Sequence, residues 1–360
     1  MEYFIFVIMI KKNSFNSNLV DWFDENKRQL PWRKSKDPYK IWLSEIILQQ
    51  TQIKQGIPYY QKFIKNYPSV YELANASEDN ILKNWQGLGY YSRARNLHWT
   101  AKFIVLNLNG VFPKKYIDYL KFRGVGDYTA SAIASICFEE SVAVVDGNVY
   151  RVLSRFFGID TAINSTHGVK KFKKLATSLL PKKRIGDYNQ AIMEFGALQC
   201  KPKSPNCCKC PINKNCIAFI SNNVINLPIK IKKNKVRNRF FNFFVYISKK
   251  NEIILEKRNE KGIWQHLYQF PMIETKSSVT KKNLLSNEKF KEKYKFKFKD
   301  QQIELINSQD IIHNLSHQKL HIKFWKINGY KKSDKLIPYK DLTKYAVPSV
   351  IAEFIKIYNP

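Results

Sequence analysis

Phe122-Arg123-Gly124-Val125-Gly126-Asp127-Tyr128-Thr129-Ala130 sets two glycines one residue apart just before an apolar, helix-periodic run. Glycines in such a turn let backbone N–H groups approach an anion, and the positive end of the following helix adds to the attraction. A helix, a tight hairpin and a second helix arranged this way can grip one backbone phosphate. The surroundings have the same helical character. Apolar residues recur at three- and four-residue spacings in 19–23, 41–48, 59–64, 81–85, 97–106, 130–136, 149–157 and 192–198, with Pro, Gly, Asn and Asp between them. That pattern predicts a many-helix globule over residues 15–220.

Two carboxylates stand out. The apolar segment 142–145 leads into Asp146-Gly147-Asn148 and a helix over 149–157, so Asp146 falls at or near a helix N-terminus. An ordinary N-cap accounts for it. Amide donors and the helix dipole would also hold such a carboxylate ionised, able to stabilise a cation forming on a sugar. Glu45 has the opposite setting in Ile41-Trp42-Leu43-Ser44-Glu45-Ile46-Ile47-Leu48-Gln49-Gln50-Thr51. It reads either as a surface Glu on an amphipathic helix or as a buried acid whose apolar neighbours keep it protonated. One neutral acid and one charged carboxylate are what cleavage of a glycosidic bond requires.

Cys200, Cys207, Cys210 and Cys216 have six, two and five residues between them. Four thiolates so placed can close around a [4Fe–4S] cluster or one zinc ion. Zinc ribbons usually present two short pairs flanking a long loop, so this asymmetric run favours iron–sulfur. Cys208 is set aside, being too close to Cys210 for both to serve as ligands. Cys137, in an apolar run, reads as a buried structural thiol.

Beyond residue 220 the period changes. Lys230, Lys232, Lys233, Lys235, Arg237 and Arg239 form a basic run, which reads as a linker near phosphates or as a solvated loop. Segments 240–247, 253–256, 302–306 and 321–325 then read as strands, and 347–357 as a helix. A smaller α+β domain follows the helical one.

Lys plus Arg number 61 against 29 Asp plus Glu, a net charge of +32. Residues 1–220 carry 32 basic and 17 acidic side chains and residues 221–360 carry 29 and 12, so both parts attract a polyanion. Abundant Lys, Asn, Ile, Phe and Tyr inflate that excess through composition alone. With 44% hydrophobic and 14% aromatic residues, general disorder is excluded. The apolar opening, Met1 to Ile10, is too short to span a bilayer, and Glu2 before it with Lys11 and Lys12 after it reverses a secretory signal; Met9 offers an alternative start. An intracellular, cytoplasmic and nucleoid-associated protein is expected, with no membrane partner.

Together these residues, with Trp42-Leu43-Ser44-Glu45, Gln49-Gln50-Thr51-Gln52, Gly87-Leu88-Gly89-Tyr90-Tyr91-Ser92-Arg93-Ala94-Arg95-Asn96 and Val145-Asp146-Gly147-Asn148-Val149 with Arg151, resemble the adenine DNA glycosylases of the MutY type. The resemblance runs from about Leu19 to the end of the chain. It implies an all-α helix-hairpin-helix glycosylase domain with a [4Fe–4S] module, plus an α+β MutT-like (Nudix-fold) C-terminal domain. The boundaries expected are an apolar extension 1–14, a catalytic domain 15–226 with the cluster loop at 200–216, a basic linker 227–239 and a recognition domain 240–360. The implied activity is removal of adenine mispaired with 8-oxoguanine or guanine in double-stranded DNA, by a monomer.

Carried onto this chain, the resemblance makes Glu45 the general acid that protonates adenine N7. Asp146 stabilises or traps the oxocarbenium ion, and Tyr128 and Asn148 line the same pocket. Trp32, Arg33 and Gln190 correspond to adenine-pocket positions. Gln50 and Tyr90 correspond to residues that wedge into the duplex as the base flips out, and Gly124 and Gly126 to the phosphate-binding hairpin. Ser316 would hydrogen-bond the oxidised guanine and His317 would help position it, although Leu315 stands where the family more often has Phe. Endonuclease III is similar but carries a catalytic Lys where this chain has Tyr128, so strand cleavage through a Schiff base is expected to be weak or absent. An acidic metal-binding helix, needed for nucleotide hydrolysis, is replaced after residue 272 by Lys276-Ser277-Ser278-Val279-Thr280-Lys281-Lys282. The alternatives are an endonuclease III-like glycosylase/lyase and a non-catalytic iron–sulfur DNA-binding protein.

Overall fold

The computed structural model describes residues 2–231, 236–294, 303–327 and 336–358, without the side chains of 2–13 and Tyr294. Lys232, Lys233, Lys235 and Gln302 lie outside the described residues. Two compact units result: residues 1–75 with 96–232, and residues 76–95 with 233–360. The division is therefore not one cut in the chain, because 76–95 cluster with the second unit.

Twelve helices are described up to residue 220: α1 Glu2–Asn26, α2 Pro38–Leu48, α3 Ile53–Asn66, α4 Val70–Asn75, α5 Glu78–Trp85, α6 Ser92–Leu108, α7 Tyr116–Tyr119, α8 Asp127–Phe138, α9 Gly147–Phe157, α10 Thr166–Leu179, α11 Ile185–Leu198 and α12 Ile217–Ile220. All eight segments read as helical lie within them. The expectation missed α10, whose polar Thr166-His167 opening and four lysines across 170–174 mask a narrow apolar stripe; Phe172, Ala176 and Leu179 are its buried face. It also set residues 1–14 apart, whereas α1 runs unbroken from Glu2 and contributes Phe15, Leu19 and Phe23 to a core shared with α9, α10 and α11. Complete burial of Phe15 and Leu19 is worth about 2 kcal/mol each.

In the second unit the strands are β1 Arg237–Tyr246, β2 Glu252–Ile254, β3 Glu256–Lys257, β4 Tyr268–Gln269, β5 Met272–Thr275, β6 Ile303–Leu305, β7 Ile311–Asn314, β8 Gln318–Ile327 and β9 Leu336–Pro338, with helices α13 Lys281–Leu285, α14 Glu288–Tyr294 and α15 Ser349–Ile357. The main sheet runs β5-β1-β8-β6, with β7 also on β8. Its central pair, β1 and β8, is parallel. Both strands are covered on both faces, as parallel strands usually are. Phe244, Trp325 and Ile327 face Leu284 of α13 and Phe290 of α14. On the other side Phe324 stacks on Phe354 of α15 at 3.8 Å. β1 begins at Arg237, inside the stretch read as linker, and α13 carries Lys281 and Lys282 rather than carboxylates. Among the described residues no helix is long and apolar enough to cross a membrane.

Candidate active site and nucleic-acid interface

α2 starts where Pro38 occupies the first turn and the Asp37 carboxylate accepts the Tyr39 amide at 2.9 Å. Its register carries Glu45 into the interior at 8% exposure. Burial pushes the Glu45 carboxyl up to about 7, opposed by a hydrogen bond from Tyr128 and reinforced by the charge of Asp146. Of the two readings of Glu45, the buried acid is correct. Tyr128, near the start of α8, is held by burial well above its ordinary phenol value and stays a donor. Its hydroxyl also reaches Met193 Sδ at 3.6 Å.

Asp146 is the N-cap of α9, as its spacing predicted. It accepts from the Asn148 amide at 2.9 Å, the Val149 amide at 2.8 Å and Asn148 Nδ2 at 2.8 Å. The three donors favour the ionised form, yet burial is the larger influence and raises the carboxyl above its usual value. Desolvation and the three donors thus act on the Asp146 carboxyl in opposite directions. Asn148 is held in turn by Arg151, whose Nη2 donates to Asn148 Oδ1 at 2.8 Å and to the Gly196 carbonyl at 2.6 Å. Arg151 Nε donates to the Cys200 carbonyl at 2.7 Å, so one guanidinium ties the Asp146 turn to the cysteine loop.

Trp32 is buried in a short 3₁₀ turn, edge-on to Tyr60 at 5.3 Å. Arg33 lies near enough to Glu45 to oppose the rise of its pKa. Its guanidinium is gripped at 2.9 and 3.0 Å by Glu194, which also binds Arg28 at 2.8 and 2.5 Å. Glu194 is 2% exposed, and despite its burial the two arginines hold its carboxyl down at about 2. The sequence reading passed over Glu194; a lone acid inside Ala191-Ile192-Met193-Glu194-Phe195-Gly196 was the available signal. Gln190 bonds within its own helix, to the Gly186 carbonyl at 3.5 Å, and to neither Glu45 nor Asp146.

At the hairpin, Gly124 has φ +78°, which a side chain would strain. Gly126, the N-cap of α8, has an extended backbone, and a Cβ there would meet nothing within 4 Å. Among the described residues, no crowding demands a glycine at 126. Gln49 Nε2 donates to the Gly124 carbonyl at 3.1 Å, tying the hairpin to the end of α2. The next residue, Gln50, is exposed at φ +55°.

The four spaced cysteines line one pocket with Val152, Arg155 and Phe156 of α9, while Cys208 is exposed. Arg155 holds the loop by donating to the Lys201 carbonyl at 2.7 Å and the Pro202 carbonyl at 3.1 Å, and its Nη1 approaches Cys200 Sγ at 3.5 Å. Burial, with the neighbouring sulfurs adding to it, pushes Cys210 up to about 12. Four soft donors lining one pocket, with the Arg155 and Arg151 guanidiniums near Cys200 to favour thiolates, suit a thiolate-bound metal cluster. Among the described residues no three of His, Cys, Asp and Glu form a single-ion site. Cys137 is half-buried, and burial raises its thiol to about 12, consistent with a structural role.

In the second unit Ser316 and His317 occupy the turn between β7 and β8, closed by the Leu315 amide on the Gln318 carbonyl at 2.8 Å. A cavity of about 430 Å³ opens there, lined by Leu88, Tyr90, Trp264, His313, Leu315 and Ser316 among others. Tyr90, at φ +47° and 43% exposed, hydrogen-bonds Ser316 through its hydroxyl. His321 points elsewhere, stacking on Phe240 at 4.6 Å.

A family model described as HhH-GPD superfamily base excision DNA repair protein matches residues 43–181, and one described as a NUDIX domain matches residues 242–356. An adenine DNA glycosylase of Buchnera aphidicola (subspecies Baizongia pistaciae) is 36% identical over 331 residues, covering 90% of this chain and 90% of that protein. The chain belongs to the adenine DNA glycosylase family. A second member, from the Schizaphis graminum subspecies, is 35% identical over 357 residues, with 96% and 99% coverage. The mouse member is 41% identical over 226 residues, 60% of this chain and 44% of its own length. Among solved structures, a thermostable thymine-DNA glycosylase superposes with a TM-score of 0.55 at 30% identity, covering 59% of this chain and 97% of the other. Endonuclease III trapped on DNA has a TM-score of 0.50 at 20% identity, covering 57% and 94%, and shares the fold. The helix-hairpin-helix glycosylase fold with a Nudix-type second part, expected from the sequence, is thus established.

Proposed function

We propose that this family member hydrolyses the N-glycosidic bond of adenine mispaired with 8-oxoguanine, or with guanine, in duplex DNA. The observation that carries the reading is Glu45: a buried carboxyl with a pKa of about 7, hydrogen-bonded to Tyr128 and sharing its surroundings with a second carboxylate held by three donors. The two carboxyls have different tasks. Flipped adenine receives the Glu45 proton at N7; the C1′–N9 bond breaks with its electron pair going to the base, and adenine departs neutral. The positive charge left on the sugar meets Asp146, which stabilises it or traps it covalently. Water then adds at C1′, and its proton returns to Glu45. A general acid of this kind contributes about 10²- to 10⁴-fold in rate.

The other residues serve that step. Asn148 and Arg151 orient Asp146, and Tyr128 orients Glu45 while offering no amine for a Schiff base, so the enzyme acts as a monofunctional hydrolase. Trp32 and Arg33 wall the adenine pocket, with Gln190 a peripheral member. Gly124 and Gly126 present amides to a phosphate, and Gln50 and Tyr90 support the flipped state. Ser316 and His317 read the oxidised guanine. Cys200, Cys207, Cys210 and Cys216 would hold one [4Fe–4S] cluster, which when bound would supply four iron–thiolate bonds that close the 200–216 loop on itself. A single-turnover assay on duplexes with adenine opposite 8-oxoguanine, guanine or thymine tests the reading. Release of free adenine from the first two, with no borohydride-trapped complex, is expected; intact adenine opposite 8-oxoguanine refutes it.

A further inference from the structure

The hairpin carries a charged residue that the adenine-releasing chemistry leaves unused. Arg123 stands between buried Phe122 and left-handed Gly124 and is exposed. Its guanidinium lies 3.9 Å from the centre of the Trp99 ring. Trp99 stacks in turn on Phe103, with centroids 5.4 Å apart and planes 18° apart, and Phe103 meets the edge of Phe122 at 5.9 Å. The Arg123 carbonyl accepts from Thr100 Oγ1 at 3.2 Å. A Cβ on Gly124 would come within 3.0 Å of the Asn96 side chain, so the hairpin rests closely on the face of α6 formed by Asn96, Trp99, Thr100 and Phe103. Those four positions follow the i, i+3, i+4, i+7 spacing of one helix face.

We propose that Arg123, seated over the Trp99 ring, is a DNA-backbone contact that binds a phosphodiester next to the one met by the hairpin amides. Three physical features carry the assignment. Stacking consumes the face of the guanidinium and leaves its N–H edge free, and that edge matches two phosphate oxygens. Among the described residues no carboxylate pairs with Arg123. The Trp99 platform and the backbone anchor from Thr100 fix a side chain that would otherwise lose rotamer freedom on binding, so the contact forms at reduced entropic cost. The partner is a phosphate rather than a base edge, because the cation sits on the motif whose amides face the backbone.

This inference rests on the reading that the hairpin meets DNA, and its test is independent of which base is excised. Binding to an undamaged duplex and to one with adenine opposite 8-oxoguanine is measured by fluorescence anisotropy across a NaCl series, for wild type, Arg123→Gln and Trp99→Leu, with thermal melts to verify folding. Arg123→Gln should flatten the slope of log K against log[NaCl] by about 0.9 and weaken binding at least about threefold on both duplexes alike. Trp99→Leu keeps the charge and removes the platform, so it should lower affinity about twofold or more with the slope nearly retained. A wild-type slope for Arg123→Gln on both duplexes overturns the proposal. A reduced slope with wild-type affinity for Trp99→Leu overturns the role of the stack. Either result alongside normal adenine release by the wild type leaves the proposed function standing.

Discussion

Replacing Glu45 by Gln removes one ionisation from the interior at nearly constant volume, and the structure fixes what that should do to stability. The carboxyl rises from its ordinary 4.5 to about 7 because burial penalises the anion. A carboxyl raised on folding contributes stability that is fully present below pH 4.5 and is lost as pH climbs through about 7. At about 1.36 kcal/mol per pH unit, that interval amounts to about 3 kcal/mol. Wild type should therefore lose about 3 kcal/mol between pH 4.5 and pH 8 from this residue alone, and Glu45→Gln should not. Urea denaturation followed by circular dichroism from pH 5 to pH 8.5 gives the comparison, with the variant the more stable protein at the alkaline end. Adenine excision by the same variant should fall by about 10²-fold or more, since the proton donor is gone. Parallel stability curves for the two proteins would mean that Glu45 ionises as it does in water, and the general-acid assignment would lose its physical basis.

Other substitutions probe the supporting residues. Gly196 faces Asn148 so closely that an added Cβ would lie 2.6 Å from Asn148 Cβ and 3.0 Å from its carbonyl oxygen. Gly196→Ala should push α11 from the start of α9, costing about 1–3 kcal/mol and slowing single-turnover excision about tenfold; a wild-type rate would show that the position of Asn148 is not critical. Glu194→Gln should destabilise by about 2 kcal/mol at pH 7, a figure reduced for the partial exposure of Arg28. Its carboxyl is depressed to about 2, so the gap from wild type in urea melts should persist above pH 4.5 and close as pH falls toward 2. Ser316→Ala should reduce the preference for 8-oxoguanine over guanine opposite adenine about tenfold, the value of one hydrogen bond, while excision opposite guanine holds steady; equal losses on both substrates would assign Ser316 to general binding.

Much of this molecule was legible in the sequence where a local rule coincides with a tertiary outcome. The hairpin glycines, the Asp146 cap and the apolar walls of Glu45 are short-range signals, and each stands in the structure where its spacing put it. The misses came from long-range terms. The desolvation that raises the Asp146 carboxyl comes from elements distant in sequence and opposes the local amide donors. Glu194 became visible only when the fold brought Arg28 and Arg33 to it across more than 160 residues. The short strands β4, β5 and β7 escaped notice because two- to four-residue elements are defined by their partners rather than by their own composition. α10 hid because its four lysines outnumber its three buried apolar side chains, although those three at helical spacing suffice to dock it.

The central claim is that a protonated Glu45 starts the reaction. It is tested most directly by the single-turnover rate of adenine release from a duplex bearing adenine opposite 8-oxoguanine, measured with saturating enzyme from pH 5 to pH 9. The account predicts release of free adenine at a rate that declines as pH rises through about 7, following the Glu45 carboxyl. A rate that climbs across that range, or no adenine released at any pH, would contradict it.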